Sequence, residues 1–189
     1  NVMKIAFIML AAGNSRRFGS NKLLYEIDGK PMYQHILEKL MTVANTPKSI
    51  TVVTQYEEIE QEARTLGTKV YINPHPDEGI SSSLKIGLKA NKDADACLFT
   101  VSDQPWLTTA TIHQLIDLLK TSQRGIACVS CQGKLGNPCI FTKKYYEELL
   151  SITGDRGGKS VIAAHREETA VLRVCNVKEL MDIDIKYRT

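Results

Sequence analysis

The residues best suited to chemistry lie in one stretch, Leu10-Ala11-Ala12-Gly13-Asn14-Ser15-Arg16-Arg17-Phe18-Gly19-Ser20-Asn21-Lys22. Small residues at its start let backbone approach a ligand closely. Gly, Ser and Asn then supply hydrogen-bond donors, and Arg16, Arg17 and Lys22 supply fixed positive charge. A polyphosphate needs that combination, with backbone N–H groups for its oxygens and cations for its charge. The pattern is not a Walker loop, because one residue too many separates Gly13 from Gly19 and Lys22 does not directly follow Gly19. The dinucleotide fingerprint Gly-x-Gly-x-x-Gly is absent as well. A basic surface loop is the plain alternative.

Carboxylates that could oppose this loop come later in the chain. Asp103 stands in Ser102-Asp103-Gln104-Pro105, directly after the apolar run Ala96 to Val101. Open parallel sheets bind ligands outside the carboxyl ends of their strands, where strand order reverses. Asp103 is therefore placed to face the cationic loop and to hold Mg2+, which takes one or two carboxylates and bridges to phosphate oxygens. A turn cap ahead of Pro105 is the competing role. Asp182 and Asp184 alternate with Met181, Ile183 and Ile185, which predicts a strand with both carboxylates on one side. They are either a second metal ligand or a solvated edge face. The histidines show no ligand spacing; His35 and His113 are expected on helix surfaces, and His75 has no assigned role. Cys128-Val129-Ser130-Cys131, followed by Cys139, lacks the second pair that would complete a zinc set, so buried thiols are expected.

These groups must be carried by a scaffold, and its pattern is α/β. Ile5 to Leu10 reads as a buried parallel strand. Asp28-Gly29-Lys30 is a turn, Pro31 suits a helix first turn, and helical spacing then runs through Ala44. Strand Ile50 to Thr54, helix Tyr56 to Leu66 ended by Gly67, and strand Val70 to Ile72 follow. After the loop Asn73 to Gly79, the serines 81–83 are expected as N-caps of a helix reaching about Asn91. Strand Ala96 to Val101 leads to a helix capped by Thr108 or Thr109, with Ile112, Leu115, Ile116 and Leu119 as its apolar face. Ile126 to Ser130 is a strand, Gly133 to Pro138 a turn-rich loop and Cys139 to Phe141 a short strand. Helices over Lys143 to Leu150 and from Lys159 to about His165 precede closing strands Ala170 to Val174 and Met181 to Ile185. Alternation of strand and helix predicts a three-layer α/β/α fold around a mostly parallel, doubly wound, Rossmann-like sheet.

A chain of 189 residues, 43% hydrophobic and 24% charged, is large enough for one domain with a substantial core. Its net charge of +3 is too small to imply nucleic acid. No apolar run reaches transmembrane length, and the start has no signal-peptide layout. Five cysteines, an odd number, favour a reducing cytoplasm over a disulfide framework.

Taken together, the motifs resemble a known family. Leu10-Ala11-Ala12-Gly13-x-Ser15-x-Arg17-Phe18-Gly19 with Asn21-Lys22, then Asn73-Pro74, Gly79 with Ser82-Ser83-Leu84, Ser102-Asp103-Gln104-Pro105, Gly136-Asn137-Pro138, Gly154-Asp155-Arg156-Gly157 and Asp182-Ile183-Asp184 resemble the nucleotidyltransferases similar to molybdenum cofactor cytidylyltransferase (MobA-like NTP transferases). The second Ala of Leu-Ala-Ala-Gly is more like the cytidylyl than the guanylyl relatives, which tend to carry Leu-Ala-Gly-Gly. One departure follows Asp184, where the family usually continues Thr-Pro-Glu-Asp and this chain reads Ile185-Lys186-Tyr187-Arg188. The resemblance implies a nucleotidyltransferase fold and transfer of CMP from CTP to the phosphate of molybdopterin or its molybdenum form. It implies Arg17, Lys22 and Asp103 as the catalytic set. Leu10, Ala11, Ala12, Gly13, Ser15, Gly79 and Ser82 join Arg17 and Lys22 in holding the nucleotide. Gly136, Asn137, Asp155, Arg156 and Gly157 face the acceptor, and Asp103 with Asp184 hold Mg2+. The part of the chain to about residue 105 would serve the nucleotide and residues from about 106 to 189 the acceptor, with a molybdenum hydroxylase as a receiving partner. Alternatives are another NTP or phosphate acceptor, guanylyl transfer included, and a non-catalytic cofactor carrier.

Overall fold

The computed structural model of the chain describes residues 2–14 and 21–183. Strand β1 (Ile5–Ala11) is followed by a small hairpin, β2 (Glu26–Ile27) and β3 (Lys30–Pro31), and by helix α1 (Met32–Val43). Then come β4 (Ile50–Thr54), α2 (Glu57–Thr65), β5 (Lys69–Ile72), α3 (Ile80–Lys89), β6 (Ala96–Val101) and α4 (Thr109–Ser122). The rest is β7 (Ile126–Cys131), β8 (Lys134–Thr142), α5 (Tyr146–Leu150), α6 (Gly158–Ala164) and β9 (Thr169–Arg173). Seven strands form one sheet in the order β5-β4-β1-β6-β8-β7-β9. Every neighbouring pair is parallel except those of β8, which runs antiparallel to both β6 and β7.

Alternation along β1 divides the core into two layers, because successive side chains of a strand take opposite faces. Phe7, Met9 and Ala11 pack with residues of α1, α2 and α4, whereas Ala6, Ile8 and Leu10 pack with residues of α3, α5 and α6. The expected three-layer, mostly parallel architecture is present.

Five local expectations fail. Gly133 to Pro138 is not a loop before a short strand: β8 starts at Lys134 and is continuous to Thr142. Gln132 and Gly133 both take positive φ, 51° and 78°, the backbone of a tight hairpin turn whose twist suits the flanking strands. Pro138 is accommodated because the β7–β8 register shifts there, Cys128 pairing with Cys139 but Val129 with Gly136, and a bulge tolerates a residue without an N–H. Met181 to Ile183 belong to no strand, so strand periodicity does not place Asp182. The cap of α3 is Gly79, and the serines 81–83 lie inside the first turn rather than capping it. His35 is buried, its Nε2 2.6 Å from the Ile27 carbonyl, and so ties α1 to the β2–β3 hairpin, while His113 is exposed as expected. Pro31 is the N-cap of α1 rather than a member of its first turn. Cys128 and Cys139 are buried among apolar side chains, and burial pushes both thiols up from their ordinary range, which leaves them unreactive.

Two tests follow from the packing. Gly87 of α3 rests on the sheet, where an added Cβ would stand 2.5 Å from Cγ2 of Ile8. Helix propensity favours alanine by about 1 kcal/mol, but overpacking against a fully buried β-branched side chain costs about 1–3 kcal/mol. Gly87→Ala is therefore expected to lower the urea midpoint, and a raised midpoint refutes this packing. His165, after α6, lies between Glu148 of α5 at 2.7 Å and Glu168 at 2.6 Å, and these carboxylates raise its pKa above 6.5. Its contribution to stability is fully present below the unfolded value of about 6.5 and is lost as pH rises through the raised folded value. The melting-temperature difference between the protein and His165→Gln should shrink from pH 6 to pH 9.

Candidate active site

Strand order reverses between β1 and β6: the chain first builds outward from β1 to β4 and β5, then returns to β1's other side. Both strands are parallel, so the segments leaving them emerge at the same edge. After β1, Asn21 caps a short 3-10 turn, Lys22–Leu24, its side-chain oxygen accepting the Leu23 N–H at 3.1 Å. Leu23 is buried beneath it, which anchors the turn and leaves Lys22 directed at the edge. After β6, Ser102 and Gln104 are buried while Asp103 between them is partly exposed. The two segments meet there, with Lys22 Nζ 3.0 Å from Asp103 Oδ2 and each side chain about one-fifth exposed (19% and 20%).

The backbone on both sides of this pair is fixed by side chains. Ser102 Oγ donates to the Leu10 carbonyl at 2.7 Å. Thr54 Oγ1 donates to the Ala11 carbonyl at 2.8 Å, Gln55 Nε2 to the Ala12 carbonyl at 2.7 Å, and the Tyr56 hydroxyl to the Gly13 carbonyl at 2.5 Å. No motif marks Thr54, Gln55 or Tyr56; their signal in the sequence is polarity at and just beyond the end of an apolar parallel strand, the position at which such sheets place functional groups. On the other side, the Ile183 N–H donates to the Asp103 carbonyl at 3.0 Å. Gln104 Nε2 donates to Asp182 Oδ1 at 3.0 Å. Glu179 accepts from the Thr108 amide and from the hydroxyls of Thr108 and Thr111, strapping the segment to the first turn of α4, where negative charge is favoured.

The loop after β5 forms a further wall. Asn73 is buried; its Nδ2 donates to the hydroxyls of Ser82 and Ser83, each at 2.9 Å, and its Oδ1 accepts the His75 N–H at 2.8 Å. Ser82 in turn donates to the Gly79 carbonyl at 2.7 Å. Gly79 has φ +93°, and a Cβ there would lie 2.4 Å from the Gly154 carbonyl oxygen and 2.6 Å from Asp155 Oδ1. The Ser81 N–H donates to that same Gly154 carbonyl at 3.1 Å. The turn containing Gly154, Asp155, Arg156 and Gly157 is thus seated against the start of α3. Gly136 and Asn137 precede Cys139, which pairs with Phe99 of β6, so antiparallel β8 carries them toward the edge occupied by Asp103.

The structure therefore brings Lys22 and Asp103 together, bonds Leu10 at the end of β1 to Ser102 beside Asp103, ties Ala11, Ala12 and Gly13 to the segment ending β4, seats Gly79 against Asp155, and directs Gly136 and Asn137 to the edge of Asp103. Ser15, Arg17 and Asp184, with the neighbouring Arg16, lie outside the described residues. Among the described residues no group of three or more His, Cys, Asp or Glu converges as a metal site. Asp103 is a hard oxygen donor at the β1–β6 edge and fits a divalent cation held by one or two carboxylates. No helix among the described residues is long and apolar enough to cross a membrane.

Comparison with known proteins gives consistent results. Residues 7–169 match the MobA-like NTP transferase domain. The chain is 33% identical over 130 residues to a probable molybdenum cofactor guanylyltransferase of Pyrococcus horikoshii, covering 67% of this chain and 62% of that protein. It is 31% identical over 121 residues to 8-amino-3,8-dideoxy-manno-octulosonate cytidylyltransferase of Shewanella frigidimarina, covering 62% and 48%. The matches thus span less than two thirds of these curated relatives. Rv0371c of Mycobacterium tuberculosis superposes with TM-score 0.79 at 21% identity, over 98% of this chain and 94% of that one. Its manganese complex superposes at 0.73 with 20% identity, over 92% and 90%. A nucleotidyl transferase from Methanothermobacter thermautotroptrophicus gives 0.79 at 18% identity, over 96% and 92%. The fold is that of the nucleotidyltransferases.

The contact at Gly79 can be isolated by a paired substitution. Gly133 also has positive φ, +78°, but a Cβ there meets nothing within 4 Å. Gly133→Ala should cost only the backbone strain, about 1–3 kcal/mol. Gly79→Ala should cost more, with a larger fall in melting temperature and faster amide exchange across residues 153–157. Equal effects of the two substitutions would show that the turn is not seated on Gly79.

Proposed function

The chain belongs to the MobA-like NTP transferase domain family, and from that membership we propose that it is an enzyme transferring a nucleoside monophosphate from an NTP to the phosphate of a molybdopterin-type acceptor. An oxygen of the acceptor phosphate attacks the α-phosphorus, the bond to the β-bridging oxygen breaks, and pyrophosphate leaves. The acceptor is already an anionic nucleophile, so no Ser or Cys is required of the protein; its tasks are alignment and charge neutralisation. The observation that carries this reading is the meeting of Lys22 and Asp103 at 3.0 Å at the point where strand order reverses.

In this reading Lys22 and Arg17 stabilise the departing pyrophosphate, and the backbone from Ala12 to Ser15 cradles the triphosphate. Leu10, Ala11, Ala12, Gly79 and Ser82 line the base. Asp103, with Asp184, holds a divalent cation such as Mg2+, which when bound neutralises phosphate charge. Gly136, Asn137, Asp155, Arg156 and Gly157 face the acceptor, so the chain to about residue 105 serves the nucleotide and the remainder the acceptor. A molybdenum hydroxylase is the partner that would receive the product.

For the base, guanylyl transfer has the stronger support, because the Pyrococcus horikoshii relative bears that name and matches 67% of this chain. Cytidylyl transfer is the second reading, favoured by Ala12 in Leu-Ala-Ala-Gly and by the Shewanella frigidimarina cytidylyltransferase. Pyrophosphate release with each of the four NTPs and molybdopterin, with product mass measured, decides between them. Release with none of them refutes the proposal and favours a non-catalytic carrier. Lys22→Ala should lower turnover by roughly 10²–10³-fold, the effect of losing about 3–4 kcal/mol of transition-state stabilisation, with an unchanged circular dichroism spectrum. Unchanged turnover removes Lys22 from the catalytic set.

A further inference from the structure

Three consecutive carbonyls, those of Ala11, Ala12 and Gly13, are taken by donors from three consecutive residues, Thr54, Gln55 and Tyr56. Thr54 ends β4 and the other two follow it, so all three donors lie on the β4 side of β1. In a trans peptide the C=O and the next residue's N–H point in opposite directions. Fixing the Ala12 and Gly13 carbonyls toward β4 therefore turns the Gly13 and Asn14 amides toward β6, the side on which Asp103 and Lys22 meet. Both residues are past the end of β1, and Gly13 and Asn14 are exposed. Successive amides aimed into one space make an anion-binding concavity.

We propose that Tyr56 is a positioning residue for the nucleotide's phosphates: its hydroxyl, bonded to the Gly13 carbonyl at 2.5 Å, holds the Asn14 amide in the direction a phosphate oxygen requires. The rigid ring makes it suited to this, being half-buried against the core containing Met9 and Val52 with only its tip at the loop. Thr54 reinforces the arrangement, because its hydroxyl also accepts the Tyr56 N–H at 3.1 Å. Gln55 does so by donating to Asn14 Oδ1 at 3.1 Å as well. This inference rests on the nucleotidyltransferase reading given above and adds to it the residue that orients the loop.

The test is Tyr56→Phe, which removes one oxygen and keeps the ring. GTP and CTP, and the corresponding nucleosides guanosine and cytidine, are titrated with Mg2+ against the full chain by competition with a fluorescent triphosphate. The expected result is triphosphate affinity weakened about fivefold, the worth of one net hydrogen bond of about 1 kcal/mol, with nucleoside affinity unchanged. In turnover, the KM for the nucleotide rises and the KM for the acceptor does not. Unaltered triphosphate affinity overturns the inference, as does equal weakening of triphosphate and nucleoside, which marks Tyr56 as merely structural. Failure of the unsubstituted protein to bind any triphosphate overturns the nucleotidyltransferase reading itself, and the inference with it.

Discussion

Lys22 and Asp103 are 81 positions apart in the chain and 3.0 Å apart in space. Two parallel strands must lie side by side with their carboxyl ends at the same edge for that to happen, and the winding of the sheet must change direction between them. Each charge is four-fifths covered, a setting in which an isolated ion is costly to hold and a partner of opposite sign offsets that cost. The same pairing suits a site for a polyanion with its cation, because phosphate and metal offer each partner a replacement of the sign it would lose. Much of the surrounding architecture serves to hold these two groups still, from the buried Leu23 beneath one to the Ser102 and Ile183 bonds that fix the backbone around the other.

Rigidity at this edge comes from polar side chains acting on backbone rather than on each other. Asn73 satisfies two serine hydroxyls and an amide, and thereby holds a loop that contains two prolines. The close approach of Gly79 and Gly154 joins the segment after β5 to the turn before α6. That contact ties the wall assigned to the nucleotide to the turn assigned to the acceptor, so a displacement of one is felt by the other.

The strongest signals in the sequence were those of burial. Apolar runs at Ile5, Ile50, Ala96 and Ile126 marked central strands because a strand covered on both faces has no polar alternation to confuse it. The cationic loop and Asp103 were legible because polarity straight after such a run has few structural explanations. Other features were hidden by composition. The first half of β8 contains Gly136 and Pro138, residues that ordinarily mark turns, and only the register shift opposite them explains their place in a strand. His35 looked like a surface residue because helical periodicity records which face is covered and not that the β2–β3 hairpin folds over it. Thr54, Gln55 and Tyr56 carry no local signature because they fix the carbonyls of a loop more than 40 residues away in the chain, a relation that no local pattern records.

The antiparallel placement of β8 bears on synthesis. Its hairpin with β7 is local and closes quickly, whereas β1 pairs with β6 across most of a hundred residues, a slow kind of contact to form. During translation β1 can join β4 early, but its other flank stays open until β6 has left the ribosome, and β6 in turn is bare on its far side until β8 follows. Until β8, which ends at Thr142, has emerged, the nascent chain therefore presents an uncovered apolar strand edge, the condition in which such intermediates self-associate.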